Sequence, residues 1–134
     1  MPYNRMMNKV VHFEIPFDNE ERAKKFYQDV FGWQIFKAPD MDYNMVTTVE
    51  TDQQTMTPKT PGAINGGMMK KDPTGTHPVI VIDVSDVDLH LKQIESAGGK
   101  VIMPKIDIGD FGSYARVADT EGNTIGIWQN KTKQ

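Results

Sequence analysis

The chain has 134 residues, 38% of them apolar and 25% charged, the composition of one globular domain or of two small modules sharing a core. A formal charge of −3, with basic residues scattered apart from the short pairs Lys24-Lys25 and Lys70-Lys71, leaves no footprint for nucleic acid or an anionic membrane. The absence of cysteine excludes disulfides and thiol chemistry. No apolar run is long enough to span a bilayer or to make a signal peptide of MPYNRMMNKV, so a cytoplasmic protein is expected.

Residues 1–8 read as a lead-in. In VVHFEI, Val11, Phe13 and Ile15 alternate with Val10, His12 and Glu14, the period of a two-faced strand. Burying the apolar set under a helix leaves His12 and Glu14 side by side on the opposite face. Pro16 ends the strand, and Asp18 with Glu21 reads as a D-x-x-E helix start. Ala23, Phe26, Tyr27 and Val30 then fall at i, i+3, i+4 and i+7, the stripe of a helix lying on a sheet, and Gly32 stops it. Trp33–Lys37 and Tyr43–Thr51 read as two further strands, turned by Pro39-Asp40. Thr51–Pro61 is a polar loop, and Ala63–Lys70 a fourth strand whose Gly66-Gly67 pair permits close approach of other groups.

After the loop KDPTGT the order repeats. Val79–Val84 is a strand, Ser85 with Asp88 a helix start, and Val87, Leu91 and Ile94 one helical face. Gly98-Gly99 ends the helix, Lys100–Met103 begins a strand, and Tyr114–Ala118 and Thr124–Trp128 form a hairpin around Asp119–Asn123. The expected organisation is a lead-in (1–8), a first βαβββ module (9–70), a linker (71–76) and a second βαβββ module (77–130). The expected fold is α+β, with a cleft between two curved mixed sheets as the site for a small-molecule ligand. Two open sheet faces on a chain this short predict a homodimer.

Candidate site residues follow from the cleft face. His12 is a hydrogen-bonded floor residue or ligand contact, with an unperturbed pKa of about 6.5 that also suits acid–base work. Glu14 is the candidate base, its alternative a solvated or paired carboxylate. Trp128 alternates with Ile125 and Ile127 and shares a face with Gly126, as a stacking wall or as a cover over the sheet end. Met68 is taken as an adaptable pocket residue, although the sequence does not separate it from Met69. His77 and His90 read as loop-edge and boundary residues.

VVHFEI followed by an acidic helix start, FYQDVFGW, VIVIDVSDVD, AGGKV and DTEGNTIGIW together resemble the vicinal oxygen chelate superfamily of glyoxalases, bleomycin-resistance proteins and ring-cleaving dioxygenases. The resemblance covers Lys9 to Gln129. It implies paired βαβββ modules and, in metal-dependent members, a divalent cation held from the first, fourth, fifth and eighth strands. His12 stands at the first of these positions. The fourth strand offers no His, Glu or Asp, the fifth-strand position falls on Val79, and the eighth on Gly126.

The resemblance therefore implies a small-molecule binder lined by His12, Glu14, Met68, Val79 and Trp128, with no cofactor expected. The alternative is a lactoylglutathione lyase-like lyase or isomerase. It would hold Zn²⁺, Ni²⁺, Mn²⁺ or Fe²⁺ through His12, Glu14 and His77, with Glu14 taking a proton beside a carbonyl. A third reading is an interaction subunit whose cleft is vestigial.

Overall fold

The computed structural model describes residues 7–55 and 57–131; of the lead-in, residues 1–6 lie outside them. The elements are β1 (Val10–Phe17), α1 (Glu20–Phe31), β2 (Gln34–Lys37), β3 (Asn44–Thr47), β4 (Gly66–Lys70), β5 (Val79–Asp83), α2 (Val87–Ser96), β6 (Lys100–Ile108), β7 (Gly112–Ala118) and β8 (Thr124–Asn130). This is the α+β, twice-repeated βαβββ order. No helix among the described residues is long and apolar enough to cross a membrane.

The two modules have one plan. In the first the strand order is β2-β3-β4-β1, with β1 and β4 parallel and the other pairs antiparallel. In the second it is β5-β8-β7-β6, with β5 and β8 parallel and the rest antiparallel. The chain forms two compact units, His12–Val79, and Met1–Val11 with Ile80–Gln134. Residues 8 and 9 join the second unit: Asp83 N–H donates to Lys9 O (2.8 Å) and Asn8 Nδ2 donates to Asp83 O (3.1 Å).

Each core lies between a helix and one face of its sheet. Ile35, Val46 and Met68 are buried in the first, with Phe13, Ile15, Phe17, Ala23, Tyr27 and Trp33 against them. Val84, Val87, Ala115 and Ile127 are buried in the second, against Ile82, Leu91 and Ile94. Four local expectations change. Pro16 does not end β1 but lies inside it, paired with Met69. Both N-caps fall one residue later than the sequence suggests: Asn19 accepts from Arg22 N–H (2.9 Å) and Asp86 from Leu89 N–H (3.1 Å). Each is a short polar side chain in extended backbone satisfying an orphan N–H of the first turn. β3 stops at Thr47 because Thr48 bonds sideways, its N–H to Asn65 Oδ1 (2.8 Å) and its hydroxyl to Ile64 O (2.6 Å). Of the α1 stripe, Ala23 and Tyr27 pack inward, whereas Phe26 and Val30 stay 52% and 57% exposed.

Candidate functional site

The alternation in β1 decides the site. With Phe13, Ile15 and Phe17 against α1, His12 and Glu14 project from the other face of the same strand. Ala38 N–H donates to Tyr43 O (2.9 Å), closing a turn in which Asp40 takes a left-handed φ of 58°, and this turn delivers Tyr43 to that face. The Tyr43 hydroxyl sits between the two side chains. It donates to Glu14 Oε2 at 3.2 Å and lies 2.8 Å from His12 Nε2. The phenol thus links the imidazole and the carboxylate in one polar cluster, the direction of the His12 bond depending on the ring's tautomer.

Glu14 is 6% exposed. His12 is held below its ordinary pKa, first by loss of hydration and only partly in compensation by the neighbouring Glu14 charge. Underneath, Gly67 is the register partner of Glu14, and a Cβ built on it would overlap the Tyr43 phenol. The glycine is required by the ring above it.

The second module repeats the packing with different chemistry. Tyr114 lies over Gly126, where a Cβ would come within 2.6 Å of the phenolic oxygen. Arg116, 5% exposed, donates from Nε to that oxygen at 3.1 Å. Trp128 is the register partner of Tyr114, and its Nε1–H donates to Asn130 Oδ1 at 2.8 Å.

Of the candidates named from sequence, the fold places His12 and Glu14 in one hydrogen-bonded cluster. Trp128 lies on the Tyr114 side of its own sheet. Val79 is buried and has the strand parity of Val81, the partner of Gly126. Met68 is a correction. It pairs with Ile15, not Glu14, and is fully buried on the helix side, so Met69, half-buried, is the methionine with the parity of Gly67 and Glu14. Sequence reasoning missed Tyr43 and Arg116. The signal for Arg116 is a cation between aliphatic neighbours in YARVA; Tyr43 gave none, since a turn sets its direction. A cavity of about 380 Å³ lies elsewhere, between α2 and its sheet, lined by Ile82, Val84, Ile94 and Ile127 with His90 at its edge.

The residues present do not suit the superfamily's cation. Gly67 and Gly126 stand on the fourth and eighth strands with no room for a ligating side chain, and His12 Nε2 is committed to Tyr43. His77 is exposed and bonds Thr76 Oγ1 through Nδ1 at 2.9 Å. Among the described residues no group of three or more His, Cys, Asp or Glu is placed to hold a metal ion.

Paired βαβββ modules, each a parallel β-α crossover followed by a hairpin, define the glyoxalase-like class. Residues 9–49 match the family described as bleomycin resistance protein-like N-terminal. A glyoxylase-like domain-containing protein of Didymella fabae is 34% identical over 119 residues, 85% of this chain and 88% of that protein. The putative glyoxylase CFP32 of Mycobacterium tuberculosis is 33% identical over 117 residues; the alignment takes in 83% of this chain but spans only 41% of that protein. The fold matches Streptomyces coelicolor methylmalonyl-CoA epimerase in complex with 2-nitronate-propionyl-CoA, with a TM-score of 0.62 at 13% identity over 95% of this chain and all of the other. The chain belongs to the glyoxalase/bleomycin-resistance family.

Proposed function

We propose that this chain binds a small organic molecule on the His12–Tyr43–Glu14 face of its first module, without the cation that metal-dependent relatives use. The observation that carries this reading is the tyrosine hydroxyl bridging histidine and carboxylate above a glycine, the phenol taking space that a metal-ligating side chain would need. His12, with Nε2 at the Tyr43 hydroxyl, offers its other ring nitrogen for a hydrogen bond, so the favoured ligand carries a polar group beside an apolar body. Met69 and Val79, within the same unit, are proposed as apolar contacts. If turnover accompanies binding, Glu14 is the base. The epimerase of the same fold holds an acyl-CoA analogue, which makes carbonyl compounds a sensible first set of probes.

The test is a thermal-shift screen of hydroxylated aromatics, small acids and acyl thioesters, with metal analysis of protein purified without chelator. A ligand at 100 times its Kd stabilises the folded state by about 2.7 kcal/mol, a readable rise in Tm. Tyr43→Phe and His12→Ala are expected to lose most of that rise while remaining folded. Stoichiometric metal that disappears in His12→Ala overturns the reading, as does a ligand whose shift survives both substitutions.

A further inference from the structure

We infer that the cavity between α2 and its sheet is a second binding site, one that takes a small uncharged apolar molecule carrying a hydroxyl or N–H group, a phenol or an indole being the simplest. The inference is independent of the ligand reading for the His12 face. The described residues that line the cavity all belong to the unit formed by Met1–Val11 and Ile80–Gln134. Its volume is about 380 Å³. Pockets that hold small organic ligands start at about 300 Å³, whereas packing faults in a protein interior are mostly no larger than a water molecule.

The opening follows from what each module puts between helix and sheet. The first module fills that layer with Phe13, Tyr27 and Trp33, the last two stacked at 5.0 Å between ring centroids. In the second the layer is aliphatic, with Ile82, Leu91 and Ile94 packed on the buried residues. Gly99 follows Gly98 after α2 as Trp33 follows Gly32 after α1, so the indole of the first module has only a hydrogen as its counterpart. A Cβ on Gly99 would come within 2.6 Å of both Ala118 O and Ile94 Cγ2, so that position stays bare. The helix leans over β6 and β7, and Ile82 on β5 and Ile125 on β8 are left half-buried in the cavity wall. A ligand seated there removes their remaining apolar surface from water.

The polar groups of the lining choose the ligand. His90 and Asp119, both half-buried, stand beside the isoleucines. His90 Nδ1 lies 3.2 Å from Asp86 O of the preceding turn. A carbonyl oxygen only accepts, so Nδ1 carries the proton of this bond and Nε2 is the acceptor when the ring is neutral. Among the described residues of the lining Asp119 is the one with a formal charge, and its carboxylate accepts from the N–H groups of Glu121 and Asn123. Both side chains offer acceptors, so a ligand that donates is favoured and an anion is repelled. An ammonium ion would have to shed its hydration among aliphatic side chains, which leaves a neutral donor.

Titration of the full chain with p-cresol, toluene and benzoate, followed by NMR of isoleucine and methionine methyl groups, tests this. p-Cresol is expected to bind with a Kd of about 1 mM or tighter, shifting the methyl signals of Ile82, Ile94, Ile125 and Ile127 and leaving Met69 on the His12 face unmoved. Toluene, the same body without the hydroxyl, should bind about fivefold more weakly, and benzoate should not displace p-cresol. His90→Ala should bring p-cresol and toluene to within about twofold of each other. Ile125→Trp, which fills the cavity, should weaken both by about tenfold or more, and Ile82→Phe fills it from the neighbouring strand if the first variant does not fold. Shifts at Met69 in place of the four isoleucines assign the ligand to the His12 face and overturn the inference. So do a methyl map that p-cresol leaves unchanged, a preference for p-cresol that survives His90→Ala, a folded filled variant of undiminished affinity, or benzoate binding as tightly as p-cresol.

Discussion

Both modules set a tyrosine diagonally over a glycine on the neighbouring strand, Tyr43 over Gly67 and Tyr114 over Gly126. The backbone device is the same, and the charges it serves are opposite. In the first module the phenol bridges a buried carboxylate and an imidazole; in the second it accepts from a buried guanidinium. The lesson is that a repeated scaffold fixes where a hydroxyl is delivered, while its strand neighbours decide what that hydroxyl does. The residue after each glycine points the other way in both halves, Met68 and Ile127 into their helix-covered cores.

The comparison is broken most severely on the core side. Met68→Ala and Ile127→Ala should each lower stability by about 2–5 kcal/mol, since both side chains are almost wholly buried and leave a cavity. Urea midpoints measure this, and Met69→Ala, half-exposed on the other face, should cost a small fraction of it. Equal losses for Met68 and Met69 would refute the assignment of faces.

Next come the glycines. Gly67→Ala should cost about 1–3 kcal/mol by driving the Tyr43 ring off its partners. The first module is expected to suffer more than Gly126→Ala does the second, because the overlap at Gly67 is the deeper one. Combining Gly67→Ala with Tyr43→Ala should cost less than the sum of the two, as expected when one change removes the atom the other collides with. Additivity would show that the phenol is not what keeps Gly67 bare.

The smallest effect is electrostatic. His12 has a lower pKa folded than unfolded, so between the two values the unfolded chain binds more protons. The stability that a neutral His12 contributes is therefore fully present above its unfolded pKa of about 6.5 and is lost as pH falls below that value towards the folded one. Thermal melts across this range should show a decline that flattens in His12→Gln. The same decline in the variant would assign it to other groups.

The interval between two βαβββ patterns, the alternation that puts His12 and Glu14 on one face, and the helix-side cores were legible because they follow from periods of 2 and 3.6 along the chain. The caps were one residue out because Asp18 and Asn19, and likewise Ser85 and Asp86, are all competent capping side chains and only backbone geometry chooses between them. Tyr43 was illegible as a site residue: it precedes β3 and owes its direction to a turn containing Asp40 at positive φ.

By itself, then, the sequence determined the element order, the family and the facing of β1, since these depend on local periodicity and on spacing between motifs. Tertiary structure alone decided that Met68 turns inward, that Tyr43 and Tyr114 fill the space above two glycines, and that Phe26 and Val30 stay uncovered. Each of those outcomes depends on which strand lies next to which and how closely a helix settles on its sheet, quantities that the spacing of residues along one chain does not contain.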